Sequence, residues 1–314
     1  MSDATSFAVG TTSSRPLSAA RRRPLTRGTR WPLLLLFLPP ALLLFTIFVV
    51  LPMGEAAWYS FYNWNGYGLP ALSDWVGFSN YELVFKNSVF RQALINNALI
   101  IVISVLIQVP LAMWLATLAS SKVKGAVTFR LIFFLPYVLA DVAAGMIWRF
   151  VYDGDFGLVG GIAHALNVDA VYPIADKNLA IYAILGVVVW KYFGFHMMLF
   201  IAGLQTIDKS LLEAAEIDGA SPRQRFFRIT LPLLGSTVRL SIFFAVVGSL
   251  QLFDMVMPLT GGGPFNATQT MVTFLYSFGV MRMKVGFGSA VGVVLFIICV
   301  TLAFSYKRVF MRND

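Results

Sequence analysis

The stretch Glu213–Pro232, EAAEIDGASPRQRFFRITLP, decides how the whole chain is read. It lies between two apolar segments. Leu211 to Asp218 holds helix formers and no breaker. Gly219 then supplies a residue that tolerates a left-handed cap. Ser221 can act as an N-cap, with Pro222 as the first helical residue, where its missing N–H costs nothing. Arg223, Arg225 and Arg228 interleave with Phe226, Phe227 and Ile229, and Pro232 ends the unit just before a membrane span. The spacing predicts two short helices joined by a bend, lying against a bilayer and open to a partner outside it.

The same residues form a pattern. Glu213-Ala214-Ala215, Gly219, Ile229 and Leu231-Pro232 read EAA-x3-G-x9-I-x-LP. This resembles the cytoplasmic coupling loop of the permease subunits of binding-protein-dependent ABC importers. The resemblance implies that residues 206–236 dock into a cleft on an ATPase subunit. The coupling positions it marks are Glu213, Ala214, Ala215, Asp218, Gly219, Ile229, Leu231 and Pro232. The competing reading is an ordinary amphipathic linker at the membrane interface.

Composition independently sets the class. The 314 residues are 58% hydrophobic and 12% charged, against about 45–50% and 25% in soluble domains. A polytopic membrane protein follows. The net charge of +9 would suggest nucleic acid in a soluble protein; here membrane topology accounts for it. The single cysteine, Cys299, lies in an apolar run, so neither a disulfide framework nor a thiol metal cluster is expected.

Residues 1–30 have no apolar period and are expected to be a disordered cytoplasmic tail. The permease domain then occupies 31–314. Leu33 to Leu51 is long enough for a bilayer core and no cleavage site follows, so it reads as a retained first span bent by Pro39-Pro40. The apolar-length rule places six spans, at about 32–52, 94–118, 130–151, 179–204, 237–258 and 286–306. Pro110 and Pro136 fall inside the second and third, where neighbouring helices can satisfy the freed carbonyls. With the N-terminus inside, 17 of the 24 Lys and Arg residues lie on the cytoplasmic side. Both termini are therefore expected to be cytoplasmic, which also places the EAA stretch where ATP is.

The outer loops are the longer ones. Trp58, Tyr59, Tyr62, Trp64 and Trp75 in 53–93 read as an interfacial aromatic belt in preference to a docking surface. Asp153, Asp155, Asp169 and Asp176 in 152–178 lack EF-hand spacing and read as a solvated face open to a partner. Thr260-Gly261-Gly262-Gly263-Pro264, in 259–285, has no following Gly-Lys-Ser/Thr and reads as a turn at the outer surface.

No G-x-x-x-x-G-K-[ST] loop occurs in the chain, so ATP is not expected to bind here. His164 and His196 are the only histidines, which leaves little for a metal centre or a catalytic triad; His196 is expected to be a packed, satisfied side chain. No catalytic or metal residues are expected. A membrane enzyme would need a cluster of carboxylates or histidines that is not seen. A stand-alone secondary transporter or channel is the main alternative, yet no second EAA-like loop marks an inverted repeat.

The resemblance covers about residues 30–310. It includes Phe129-Arg130 to Leu135-Pro136-Tyr137, Trp190 to Phe195, Ala202 to Gln205, and Phe253-Asp254 with the Thr260–Pro264 turn. The closest class is the maltose-type sugar permease without a large inserted outer domain. It implies an all-α, six-span type I ABC importer permease fold in a bacterial cell membrane. It also implies a second permease subunit, as a heterodimer, two cytoplasmic ATPase subunits that hold ATP and Mg, and an extracytoplasmic sugar-binding protein. The implied mechanism is alternating access driven by ATPase closure. Asp208 departs from the family, where many relatives have proline, but can cap the following helix instead.

The implied substrate pathway uses the third, fourth and fifth spans, at Tyr137, Asp141, Val188, Lys191, Tyr192, Ala245, Ser249 and Leu252. Val188, Ala245 and Leu252 are apolar while Asp141 and Lys191 bring charge, so maltose itself is not expected. Asp141 and Lys191 lie at nearly equal depth at about 1.5 Å per residue. They can pair structurally or hydrogen-bond sugar, with Tyr137 or Tyr192 stacking on a ring face. Asp254, nearer the outer surface, is expected to support a gate.

Overall fold

The computed structural model describes residues 27–120 and 125–310. The reading of residues 1–26 as a tail, and the cytoplasmic placement of Lys122, Lys124 and Arg312, concern residues outside these ranges. Among the described residues, helix is the regular structure, apart from one isolated bridge between Tyr62 and Trp75. The chain divides into two units, the first ending at Met53 and the second running from Gly54. Of the first unit we note that the chain is helical from Arg27. Its apolar stretch belongs to helix α1 (Leu35–Tyr59), which is continuous through Pro39-Pro40.

In the second unit, α2 (Ser79–Lys86) precedes the long α3 (Ser88–Ser120). Then come α4 (Ala126–Val138), α5 (Asp141–Val151), α6 (Leu158–Ala165) and α7 (Ala180–Leu204). The remainder is α8 (Lys209–Ile217), α9 (Pro222–Leu233), α10 (Gly235–Leu250), α11 (Val256–Thr260), α12 (Met271–Val280) and α13 (Val285–Phe310). Four helices, α1, α3, α7 and α13, are long and apolar enough to cross a membrane singly. Two bent pairs, α4–α5 and α9–α10, bring the number to six when each counts as one span.

The third span is therefore not the single helix expected over 130–151. Leu139 and Ala140 are extended, and α4 and α5 meet at 96°. The fifth span also ends early. The helix stops at Leu250, before α11 begins at Val256, so 237–258 is not one helix.

The loop 259–285 holds more than a turn. Gly261 and Gly262 do adopt positive φ there. Beyond them lies α12, whose Met271 and Phe274 are buried with Phe90 and Ala93 of α3 and Ala290 and Val291 of α13. Two buried amides of α3 hold this segment. Asn96 Nδ2 donates to the carbonyls of Ala267 and Gln269, each at 2.8 Å. Asn97 Oδ1 accepts from Met271 N at 2.8 Å, and its Nδ2 donates to Ser249 O at 2.7 Å. At only ten residues, α12 is too short for the span rule, which is why the sequence pattern passed over it.

Helix α7 is the central post, and α3, α4 and α10 pack around it. At Gly194 a Cβ would lie 2.2 Å from Phe133 O. Only glycine lets α4 approach α7 this closely. The aromatic residues of 53–93 cluster on one another, with Trp75 stacked on Phe61 at 5.4 Å and against Tyr62 at 5.1 Å. In 152–178 the carboxylates act locally. Asp153 accepts from Asp155 N and Phe156 N, Asp176 from Asn178 N and Leu179 N, and Asp155 from the Tyr172 hydroxyl. The Phe156 and Asp155 amides hold the Asp153 carboxyl below the usual carboxylate range.

Candidate functional site

The break between α4 and α5 sets up the site. Pro136 has no N–H, and the extended Leu139–Ala140 link ends the ladder, so carbonyls at the end of α4 lose their helical donors. Lys191 of α7 supplies replacements. Its Nζ donates to Pro136 O at 3.2 Å, Tyr137 O at 3.3 Å and Leu139 O at 2.5 Å. It also meets Asp141 Oδ1 at 3.0 Å, and the Lys191 side chain is 1% exposed against 36% for Asp141. An ammonium has three hydrogens to donate, and here four acceptors surround it. Of the two roles open to Lys191, structural pairing or a bond to sugar, this geometry favours the first: the ammonium is buried and engaged in holding the bend.

A cavity of 590 Å³ opens beside this latch. Tyr137, Asp141, Val188 and Tyr192 line it from α4, α5 and α7, and Ala245, Ser249, Leu252 and Asp254 from α10 and the segment after it. Of the eight pathway positions, Lys191 alone is not in the lining. The Tyr192 hydroxyl donates to Asp141 Oδ1 at 3.1 Å. The Tyr137 ring stacks on Phe195, centroids 5.0 Å apart. Both tyrosines are thus held by protein partners while facing the space.

A wall from α3 went unread in the sequence. Ile100, Ser104 and Gln108 of α3 also line the cavity. Residues Ser104–Gln108 form a π-helical turn, a feature frequent at functional sites. Two polar residues four apart in an apolar span were the available signal. Ser249 Oγ donates to Ala245 O at 2.7 Å. His196 is buried with Nδ1 2.8 Å from Ser241 Oγ, a packed and partnered histidine at the cavity margin.

The second candidate surface is the loop after α7. Asp208 caps α8 by accepting from Ser210 N at 3.0 Å. That backbone N–H holds its carboxyl below the usual range. Gly219 has φ +79°. Gly219 N donates to Glu216 O and Ala220 N to Ala215 O, at 3.0 and 2.9 Å. This pair of bonds is a Schellman motif. Ser221 and Gln224 then form a reciprocal capping box with Pro222 at the first helical position. Arg225 ties the two helices through Glu216 at 2.6 Å. Glu213, Ala214, Asp218, Gly219 and Pro232 are exposed, while Ala215, Ile229 and Leu231 are half-buried. Ile217, 87% exposed, is an apolar side chain with no cover from this chain.

Apolar helices around a largely apolar cavity with a few polar groups, and a double-capped elbow on an exposed loop, fit a membrane transport subunit. Residues 108–313 match the family described as binding-protein-dependent transport system inner membrane component. The sulfoquinovosyl glycerol transport system permease protein of Agrobacterium fabrum is 32% identical, covering 89% of this chain and 90% of that one. The diacetylchitobiose uptake system permease protein of Streptomyces coelicolor is 34% identical, covering 96% and 89%. The sn-glycerol-3-phosphate transport system permease protein of Agrobacterium fabrum is 32% identical, covering 88% and 94%. A crystal structure of a bacterial ABC transporter involved in import of the acidic polysaccharide alginate shares the fold, with TM-score 0.77, 23% identity and coverage of 89% and 96%.

The chain belongs to this binding-protein-dependent permease family: it is a multi-pass bacterial membrane protein, a transport subunit of an ABC importer with the type I permease fold. The family is served by a substrate-binding protein.

Proposed function

We propose that this permease forms half of the pathway of an ATP-driven importer of mono- or oligosaccharides. A second, non-identical permease subunit completes the pathway, and two cytoplasmic ATPase subunits hold ATP and Mg. The observation that carries the sugar reading is the cavity wall. Tyrosine rings, carboxylates and a serine converge with apolar surface, the mixture that suits a molecule with ring faces and many hydroxyls. Relatives serving glycoside and disaccharide cargo support it. Asp141 accepts from sugar hydroxyls, and Asp254 supports the outer gate. The EAA elbow, with Glu213, Gly219 and the exposed Ile217, is the surface offered to an ATPase subunit.

Asp141→Asn tests the sugar contact. A charge-assisted hydrogen bond contributes about 1.5–3 kcal/mol, so uptake falls while the complex still assembles and Lys191 keeps its carbonyls. Unchanged uptake and sugar preference in this variant would remove Asp141 from the pathway.

Both termini and the elbow are cytoplasmic in this reading, on the strength of the Lys and Arg asymmetry. In a Cys299→Ser background, a cysteine at the exposed Asn167 reacts with a membrane-impermeant thiol reagent in intact cells, and one at Lys209 does not. Labelling at Lys209 alone would reverse the orientation.

A further inference from the structure

Family membership leaves the charge of the cargo open, and the cavity wall bears on it directly. Two carboxylates, Asp141 and Asp254, line the space, and no lysine or arginine does. Lys191 compensates the first from behind the wall, with its ammonium turned to three carbonyls and Asp141 Oδ1. Asp254 is exposed to the cavity, and among the described residues no hydrogen bond or ion pair engages its carboxylate. One negative charge therefore faces the space with no counter-charge among the described residues of this chain. Val188, Phe244 and Leu252 give the same cavity apolar walls, and low-dielectric walls focus such a field.

Acceptor atoms are open on the same wall. Asp141 has Oδ2 free, since both Lys191 and Tyr192 use Oδ1. The Ser249 hydrogen is committed to Ala245 O, so its oxygen presents lone pairs. The wall carries two carboxylates and no lysine or arginine, beside neutral groups such as Gln251 and Tyr137 that donate as well as accept.

We infer that this wall, through Asp254 and Asp141, selects a donor-rich carbohydrate without negative charge, uncharged or amino-bearing, and disfavours phosphorylated, sulfonated and uronic sugars. The inference rests on the sugar reading above. It assigns Asp254 as a specificity-determining residue.

Equilibrium binding to the purified permease–ATPase complex, without binding protein, tests it. The probes are cellobiose, chitobiose and trehalose 6-phosphate, with glutamine as a non-sugar of comparable polarity. Cellobiose and chitobiose are expected to bind at least about 30-fold more tightly than trehalose 6-phosphate, equivalent to about 2 kcal/mol. Asp254→Lys is expected to close that gap by about tenfold or more. Equal affinity for trehalose 6-phosphate, or a gap unmoved by Asp254→Lys, overturns the charge selection. Binding of glutamine with no binding of any sugar overturns the sugar reading instead. No binding by any probe also counts against the inference, which requires an accessible wall.

Discussion

Lys191→Met is expected to abolish uptake and to lower the thermal stability of the permease. Methionine fills much of the lysine volume, so packing in α7 survives. What is lost is the cation that closes the break between α4 and α5. The carbonyls of Pro136, Tyr137 and Leu139 lose their shared donor. Asp141 loses its counter-charge, although its partial exposure to the cavity lets water relieve some of that cost. Removing one partner of a buried pair destabilises by roughly 3–5 kcal/mol, and we expect the lower end. Adding Asp141→Asn removes the orphaned charge and should restore part of the stability but none of the uptake. The check is a melting curve beside an uptake assay. Wild-type melting in Lys191→Met would show that the ammonium does not hold the bend.

Gly219→Val is expected to eliminate transport while leaving the permease inserted. At φ +79° a β-branched residue is strained, and the left-handed region costs an L-residue about 1–2 kcal/mol. No atom lies within 4 Å of where a Cβ would stand, so crowding within the chain contributes nothing. The effect is one of angle. Valine favours another backbone conformation, the Schellman bonds to Glu216 and Ala215 break, and α8 and α9 separate from their fixed elbow. Asparagine tolerates this conformation better, so Gly219→Asn should retain appreciable uptake. Co-purification of the ATPase subunits reads the defect directly: weakened with valine, largely kept with asparagine. Equal retention in both variants would separate the glycine from coupling.

The elbow was legible because its determinants are local. Asp208, Gly219, Ser221 and Pro222 each act within a few residues, and the structure shows each in the capping or turn role its chemistry suggests. The meeting of Asp141 and Lys191 was legible as equal depth along two spans. The role of Lys191 was not, because it depends on carbonyls freed by a break at Leu139–Ala140. Periodicity cannot locate a break inside a continuous apolar run. Helix α12 was hidden for a related reason. It is held by Asn96 and Asn97, more than 170 residues earlier in the chain, through bonds that no local pattern records. The Gln108 wall was visible only as a polar residue one helical turn from Ser104.

This chain is expected to move its cargo only when driven through the elbow. The direct measurement is cargo uptake into proteoliposomes containing the permease pair, with ATP and Mg supplied on the elbow side. Uptake should require the ATPase subunits and the loaded binding protein together, and it should be lost with Gly219→Val although the binding protein still docks. Uptake of the same size by the permeases alone, unaffected by ATP, would contradict the account and make the protein a stand-alone transporter.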